Sequence, residues 1–254
     1  MTAGGPRISI ITITMNSARY LEDTIRSVAE QDYPDIEYVV VDGGSSDSTL
    51  EIIARNETVI DRSISEPDEG IADAMNKGLA LATGDYVYFL HSDDYLEGPG
   101  VISRAAGFLE AERDIVLFSI HLDKDGIKTL RRPRGFGPWM NFKTGVYHQS
   151  AICSARLFER IGAFDTDFRV TMDYDFFLRA YRDGVRPRIV DLPLATMRLV
   201  GVSSQDDWAA LRRRFAEERR THAKNCRPAA LRALYALYWP LYLAYRRVSQ
   251  PLRR

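Results

Sequence analysis

Apolar runs that end abruptly on acids constrain this chain more than any other feature. Tyr86 to Leu90 is aromatic and branched throughout, long enough for one buried strand, and it stops at His91-Ser-Asp-Asp94. Glu37 to Val41 behaves alike, running straight into Asp42-Gly-Gly-Ser-Ser-Asp47. Solid runs of this kind occupy the middle of parallel sheets, and in open α/β sheets ligands collect outside the carboxyl ends of the strands. The acids are therefore expected on the rim of a crevice, fixed in place by the sheet. Two uncompensated carboxylates about 4–6 Å apart repel each other. A divalent cation removes that cost, and an oxygen-only pair favours Mg²⁺ or Mn²⁺. Asp93 and Asp94 are accordingly candidate metal ligands; the alternative is that Ser92-Asp93-Asp94 only starts a turn or caps a helix.

The flanking sequence repeats the strand–loop–helix pattern. Ile8 to Ile13 reads as a strand, followed by Thr14-Met-Asn-Ser17 and an amphipathic helix with Leu21, Ile25 and Val28 on one face. Gly43 and Gly44 let backbone come close to a ligand, and Ser48-x-x-Glu51 reads as a capping box opening a helix over Thr49–Arg55. Such units predict a right-handed parallel sheet with a nucleotide-sized crevice. The Gly-x-Gly-x-x-Gly fingerprint and the Walker P-loop are both missing, which argues against NAD and against ATP hydrolysis. A short strand near Val59–Ser65 leads into Glu66-Pro-Asp-Glu-Gly70 and a helix with Ile71, Met75 and Leu79 inward, while Asp68, Asp73 and Lys77 lie near its start and flank. Asp125-Gly126 between two β-rich runs is a hairpin signal, and Gly135 to Trp139 reads as loop. A helix over Ala155–Ile161 follows Tyr147-His-Gln-Ser150. Asp173 and Asp175 fall in the first turn of a further helix, where the dipole favours carboxylates, so they read either as site acids or as surface acids.

Composition sets the remaining bounds. With 254 residues, 45% hydrophobic and 27% charged, there is material for a full core. Cys153 and Cys226 lie far apart without metal spacing and no apolar segment follows Met1, which points to a cytoplasmic protein without a disulfide framework. The net charge of -1 hides an asymmetry: residues 212–254 carry twelve Arg/Lys against two Glu, or +10, leaving -11 for residues 1–211. Between Arg232 and Arg246 lie thirteen uncharged residues interrupted by Pro240, short of the roughly 20 that span a bilayer. Four tyrosines and Trp239 among leucines, bracketed by arginines, suit an anionic headgroup region, so this tail is expected to lie on a membrane. Packing on the domain or on a second subunit is the alternative. No nucleic-acid motif accompanies the basic charge.

Thr-Met-Asn16, Val-Asp-Gly-Gly-Ser-Ser-Asp47, Glu-Pro-Asp-Glu-Gly-Ile-Ala-Asp-Ala-Met-Asn-Lys-Gly78, Ser-Asp-Asp94 and Asp-Tyr-Asp-Phe-Phe-Leu-Arg179 together resemble, in order, the family 2 glycosyltransferases. The subgroup that looks similar builds bacterial exopolysaccharide, O-antigen or glycolipid sugars. The resemblance covers roughly residues 7–200 and implies an α/β GT-A fold, a mixed sheet flanked by helices over residues 1–204; the charge and aromatic pattern add a basic amphipathic helical tail over 205–254. It implies inverting transfer from a nucleotide-diphosphate sugar, usually a UDP-sugar, with Mg²⁺ or Mn²⁺. The acceptor would be a lipid-linked glycan or glycolipid on the cytoplasmic face of the inner membrane, with an oligomer possible. By position, Thr14, Asn16, Asp42, Asp68 and Lys77 match nucleotide contacts, with Asp42 and Asp68 holding the base. Asp93 matches the metal ligand, helped by Asp94; Asp73, His148 and Asp175 fall at the donor-sugar or acceptor side; Asp173 matches the catalytic base.

Three positions depart from the family pattern: His91 stands at the first Asp of Asp-x-Asp, Met172 replaces the Glu of a Glu-Asp pair, and Ala72 stands where Tyr is frequent. Gly201-Val-Ser-Ser204 is a candidate cover for the donor. Gln205-Asp-Asp-Trp208 does not reproduce the Gln-x-x-Arg-Trp of processive synthases, which implies one sugar per encounter. The rival reading is a non-catalytic sugar-nucleotide-binding or scaffolding subunit of the same fold.

Overall fold

The computed structural model describes residues 5–200, 208–226 and 228–249. Two compact units result, Met1–Gln205 and Asp206–Arg254. The Gly201–Ser204 loop and Gln205-Asp-Asp207 lie outside the described residues.

The first unit runs β1 (Ile8–Thr14), α1 (Leu21–Ala29), β2 (Ile36–Asp42), α2 (Thr49–Arg55), β3 (Arg62–Ser65), α3 (Ile71–Leu81), β4 (Tyr86–Phe89) and β5 (Tyr95–Leu96). It continues through α4 (Val101–Ala106), β6 (Ile115–Lys124), β7 (Ile127–Arg131), β8 (Ala151–Ser154), α5 (Ala155–Ile161), α6 (Met172–Arg182) and β9 (Arg188–Arg198). The described strands form one sheet ordered β3-β2-β1-β4-β8-β6-β9-β5, with β7 paired to β6 beside that path. β3, β2, β1 and β4 are parallel, as the solid apolar runs predict. The mixed half begins at β8, which is antiparallel to both β4 and β6.

Period-two alternation sends β1 and β2 into two cores. Ile11, Ile13, Val39 and Val41 pack in one with Met75, Phe158 and Phe176; Ile8, Ile10, Tyr38 and Val40 pack in the other with Leu21, Ile25 and Val28. Gly78 fixes the depth of α3, since a Cβ there would collide with Ile11. The hairpin turn forms as expected, with Asp125 at φ 54° and Gly126 at φ 84°, the left-handed pair that a two-residue I′ turn requires. The capping box does not form. α2 starts at Thr49, but Ser48 makes no side-chain cap; Asp47 accepts the Thr49 N–H at 3.0 Å, because the residue one step earlier already reaches that donor.

The second unit is a pair of helices, α7 (Trp208–Asn225) and α8 (Ala229–Ser249). His222 of α7 stacks on Tyr235 of α8 at 4.5 Å, and Phe215 meets Tyr242 edge-on at 5.3 Å, so the helices run antiparallel. α8 continues through Pro240 instead of breaking. Pro240 and Ala236 are both exposed, so the carbonyl that loses its intrahelical donor can meet water. No helix among the described residues is long and apolar enough to cross a membrane.

Candidate active site

The carboxyl ends of β1, β2 and β4 bring the first set of site residues onto neighbouring loops. Asn16 leaves β1 at φ 50°, in the left-handed region that Asn tolerates. Its N–H donates to Ser45 Oγ at 2.7 Å and its side-chain oxygen accepts the Ser46 N–H at 2.9 Å, tying the loop after β1 to the loop after β2. Asp42 builds that second loop: it accepts the N–H groups of Gly44 and Ser45 at 3.0 and 2.9 Å and the hydroxyls of Ser45 and Ser65 at 2.5 and 2.7 Å. A carboxylate offers about four lone-pair sites. Three of the four bonds fall on Oδ2 and one on Oδ1, so the fully buried Asp42 shapes the loop at which the base is expected.

Asp68 stands against the same loop. Its Oδ1 accepts the Gly70 N–H at 2.8 Å, and its Oδ2 lies where a Cβ on Gly43 would collide with it. Lys77, expected at the nucleotide, donates to Pro67 O, Glu66 and Asp73 at 2.8, 2.9 and 3.3 Å. All three ammonium protons have acceptors, so Lys77 binds the Glu66–Gly70 loop to α3. Asp73 closes the same knot by accepting the Glu69 N–H at 3.1 Å; that bond, with Lys77, holds its carboxyl below the usual value.

Beyond β4 the chain makes a tight turn in which the Asp94 N–H returns to His91 O at 3.0 Å, so the turn reading of this stretch holds alongside the site reading. The Thr24 hydroxyl donates to the carbonyls of Ser92 and Asp94 at 3.0 and 2.7 Å. Arg198 adds its Nη1 to Asp93 O at 3.0 Å, its Nη2 to Asp23 at 2.9 Å, and lies between the rings of Tyr20 and Tyr95 at 4.9 and 4.6 Å. Asp94 turns inward: its oxygens accept Gln149 Nε2 at 3.0 Å and the Arg198 N–H at 3.1 Å. Burial, and then the charge of Asp93, push its carboxyl well above the usual range. This corrects its expected part as a metal ligand: buried and bonded on both oxygens, Asp94 supports the turn. Asp93 stays at the rim, its carboxyl also raised by burial, with His148 and Arg198 opposing the rise.

His148, in the 3-10 turn that enters β8, brings the remaining groups together. Its ring lies 4.3 Å from that of His91, and its Nδ1 lies 3.6 Å from Asp173 Oδ2. Burial, then the neighbouring His148, holds the His91 imidazole well below its usual pKa. The Nε2 atoms of both histidines and Oγ1 of Thr14 are buried without a partner among the described residues. Buried polar atoms are normally satisfied, and these three belong to the rim formed by β1, β4 and the start of β8.

α6 supplies Asp173 and sets its direction. Two residues correspond to about 200° around a helix, so Asp173 and Asp175 cannot share a face. Asp175 is fully buried and pairs with Arg179 Nε at 2.8 Å, while Arg179 also donates to the carbonyls of Ile161, Gly162 and Ala163 at 2.5, 3.0 and 2.7 Å. Phe176 stacks on Phe158 at 4.6 Å. Asp175 is thereby corrected from a donor or acceptor contact to the buried anchor that fixes the rotation of α6. Sequence reasoning missed Arg198, Gln149 and Thr24; of these only Gln149, inside Tyr147-His-Gln-Ser150, stood in a stretch already marked.

A divalent cation fits this arrangement in one form. Among the described residues no three His, Cys, Asp or Glu side chains converge to hold an ion unaided. Asp93 offers a half-buried carboxylate, raised by desolvation, beside two imidazoles whose Nε2 atoms lack a partner among the described residues. Mg²⁺ and Mn²⁺ sites built on one or two carboxylates plus substrate phosphates need no more from the protein.

Comparison with known proteins gives the family and the fold. An uncharacterised glycosyltransferase of Mycobacterium tuberculosis is 37% identical over 180 residues, covering 69% of each chain. A PGL/p-HBAD biosynthesis glycosyltransferase of Mycobacterium bovis is 34% identical over 189 residues, 69% of this chain and 70% of the relative. In fold the chain is similar to S. aureus TarS 1-349 in complex with UDP-GlcNAc, with a TM-score of 0.68 and 22% identity over 86% of this chain and 66% of that one. It spans 42% of the longer TarS chain. The mannosyltransferase PcManGT of Pyrobaculum calidifontis, in complex with GDP-Man and Mn2+, gives a TM-score of 0.67 at 22% identity, covering 95% of this chain and 71% of that one. The family model described as Glycosyl transferase family 2 matches residues 9–184, from the first strand to just past the helix that carries Asp173, and the chain belongs to that family.

Proposed function

We propose that the chain is an inverting glycosyltransferase that moves a single sugar from a UDP-sugar to a lipid-linked glycan or glycolipid on the cytoplasmic face of the inner membrane, in cell-surface polysaccharide biosynthesis. The observation that carries this reading is the group of Asp93, His91, His148 and Asp173 at the carboxyl rim of the sheet, with buried nitrogens that no group among the described residues satisfies. A UDP-sugar is favoured by the TarS complex, and a metal by the Mn2+ in PcManGT.

Thr14, Asn16 and Asp68 frame the nucleotide, and Asp42 holds their loop in shape. Asp173 takes the proton from the acceptor hydroxyl as that oxygen attacks the anomeric carbon; the bond to the diphosphate breaks and the diphosphate leaves with the electron pair. General-base catalysis of this kind contributes about 10²–10⁴-fold. His148, beside Asp173, orients the carboxylate. Asp93 is the residue that would hold a divalent cation, which when bound neutralises charge on the leaving diphosphate.

The test is donor hydrolysis by purified protein with UDP-, GDP- and dTDP-sugars in Mn²⁺, Mg²⁺ or EDTA. Metal-dependent release of one nucleotide, abolished by Asp93→Ala and lowered about 10²–10⁴-fold by Asp173→Ala, is expected. Nucleotide binding without turnover, even with lipid acceptors present, would favour a non-catalytic binding subunit. His91 at the first position of Asp-x-Asp is the observation on that side.

A further inference from the structure

The aromatic residues that made the tail look membrane-seeking are not the ones available to a membrane. Tyr235 and Trp239 are buried on the face of α8 that meets α7, where His222 lies 4.5 and 5.3 Å from their rings. Tyr242 contacts Phe215 on the same side, and Arg246 lies over Phe215 at 5.2 Å. The opposite face carries Leu234, Leu237, Leu241, Tyr245 and Val248, exposed by 47, 63, 62, 58 and 73%. At about 100° per residue these five fall within roughly 80° of arc. A helix that has already buried one apolar face against its partner thus presents a second to solvent. Arg232 and Arg247 are exposed on the side of α8 away from that stripe.

We infer that the Leu234–Val248 face of α8 is the docking surface of this protein on an anionic lipid bilayer, lying in the plane of the interface with its leucines among the acyl chains. Charge decides between this occupant and a second copy of the chain. Residues 212–254 sum to +10; pairing two such tails would set like charges together, whereas a negatively charged leaflet attracts them. An in-plane helix needs an apolar face with basic residues on its polar side, and no spanning length. This surface serves the membrane acceptor proposed above and is independent of the donor chemistry.

The experiment is co-sedimentation of the full chain with vesicles of phosphatidylcholine, with and without phosphatidylglycerol. Binding to the anionic vesicles is expected to exceed binding to neutral ones by about tenfold or more. Leu237→Glu combined with Leu241→Glu should weaken it at least about tenfold. Ala236→Glu, exposed but away from the stripe, should bind more tightly than the double variant despite adding the same kind of charge. A milder pair, Leu234→Ser with Val248→Ser, should weaken binding with the helix content by circular dichroism unchanged. Wild-type protein that stays in the supernatant, or a double variant that pellets like wild type, overturns the inference. So does a wild-type dimer that the double variant converts to monomer, which would make the stripe a self-interface. Release of nucleotide from a UDP-sugar without vesicles is read in parallel, so failure of docking and failure of the transferase reading are distinguishable.

Discussion

The two ends of the same parallel strands treat buried polar groups in opposite ways. At the amino end Glu37, 1% exposed in its side chain, accepts the Ser9 hydroxyl at 2.5 Å, the Thr83 N–H at 2.6 Å and the Thr83 hydroxyl at 2.8 Å. Arg7 and Arg62 each stand 3.5 Å away. Burial raises its carboxyl, but these partners outweigh it and hold Glu37 below the usual value. At the carboxyl end Asp93 is raised, His91 is lowered, and three buried polar atoms have no partner among the described residues. One end is a closed account of donors and acceptors; the other is left open, and an open one is where a ligand supplies the missing partners.

The contrast is tested first where the largest loss of stability is expected. Glu37→Gln removes the charge and, with its oxygen kept on the Ser9 hydroxyl and Thr83 N–H, turns an amide donor toward Arg7 and Arg62, which should cost about 2–3 kcal/mol at neutral pH with kcat unchanged. Because the folded carboxyl lies below its usual 4.5, the contribution is present above that value and is lost as pH falls through the folded one. The gap between wild type and variant in urea denaturation should therefore close in acid. Next comes Arg198→Ala, expected to lower stability by about 1–2 kcal/mol and donor turnover with it, since the guanidinium holds Asp93 O from a distant strand. Arg198→Lys keeps the charge without the planar fork and should recover only part of each. The smallest stability effect belongs to His91→Phe, which keeps a ring beside His148 and removes a nitrogen without a partner. Its stability should change by less than about 1 kcal/mol while turnover falls. If thermal melting showed His91→Phe to be as damaging as Glu37→Gln, the distinction between the two ends would fail.

Much of the fold could be read from the chain because its signals are local. The runs at β1, β2 and β4, the apolar face of α1 and the Asp125-Gly126 turn each depend on a few adjacent residues, and each appears where expected. What could not be read was which acids are occupied. Asp42, Asp94 and Asp175 look like Asp68, Asp93 and Asp173 in sequence; only contacts with Ser65, Gln149 and Arg179 separate them. Arg198 was invisible for the same reason, its partners Asp93 and Asp23 lying 105 and 175 positions away. In the tail the composition was right about amphipathicity, but Trp239 and Tyr235 pair with α7 and leave the leucines outward.

The antiparallel placing of β8 beside β4 has a consequence for how the chain can vary. A parallel strand would deliver its last residue to the rim; β8 delivers what precedes its first, and the Tyr88↔Ile152 register is what puts His148 beside His91. The position of His148 is thus set by strand pairing and not by the length of chain leading up to it. Residues can be added or removed around Lys143 and Thr144, both exposed, with the two imidazoles kept in phase, whereas a one-residue slip inside β8 would turn its side chains to the other face. Length variation should therefore be tolerated just upstream of the site, and register variation should not.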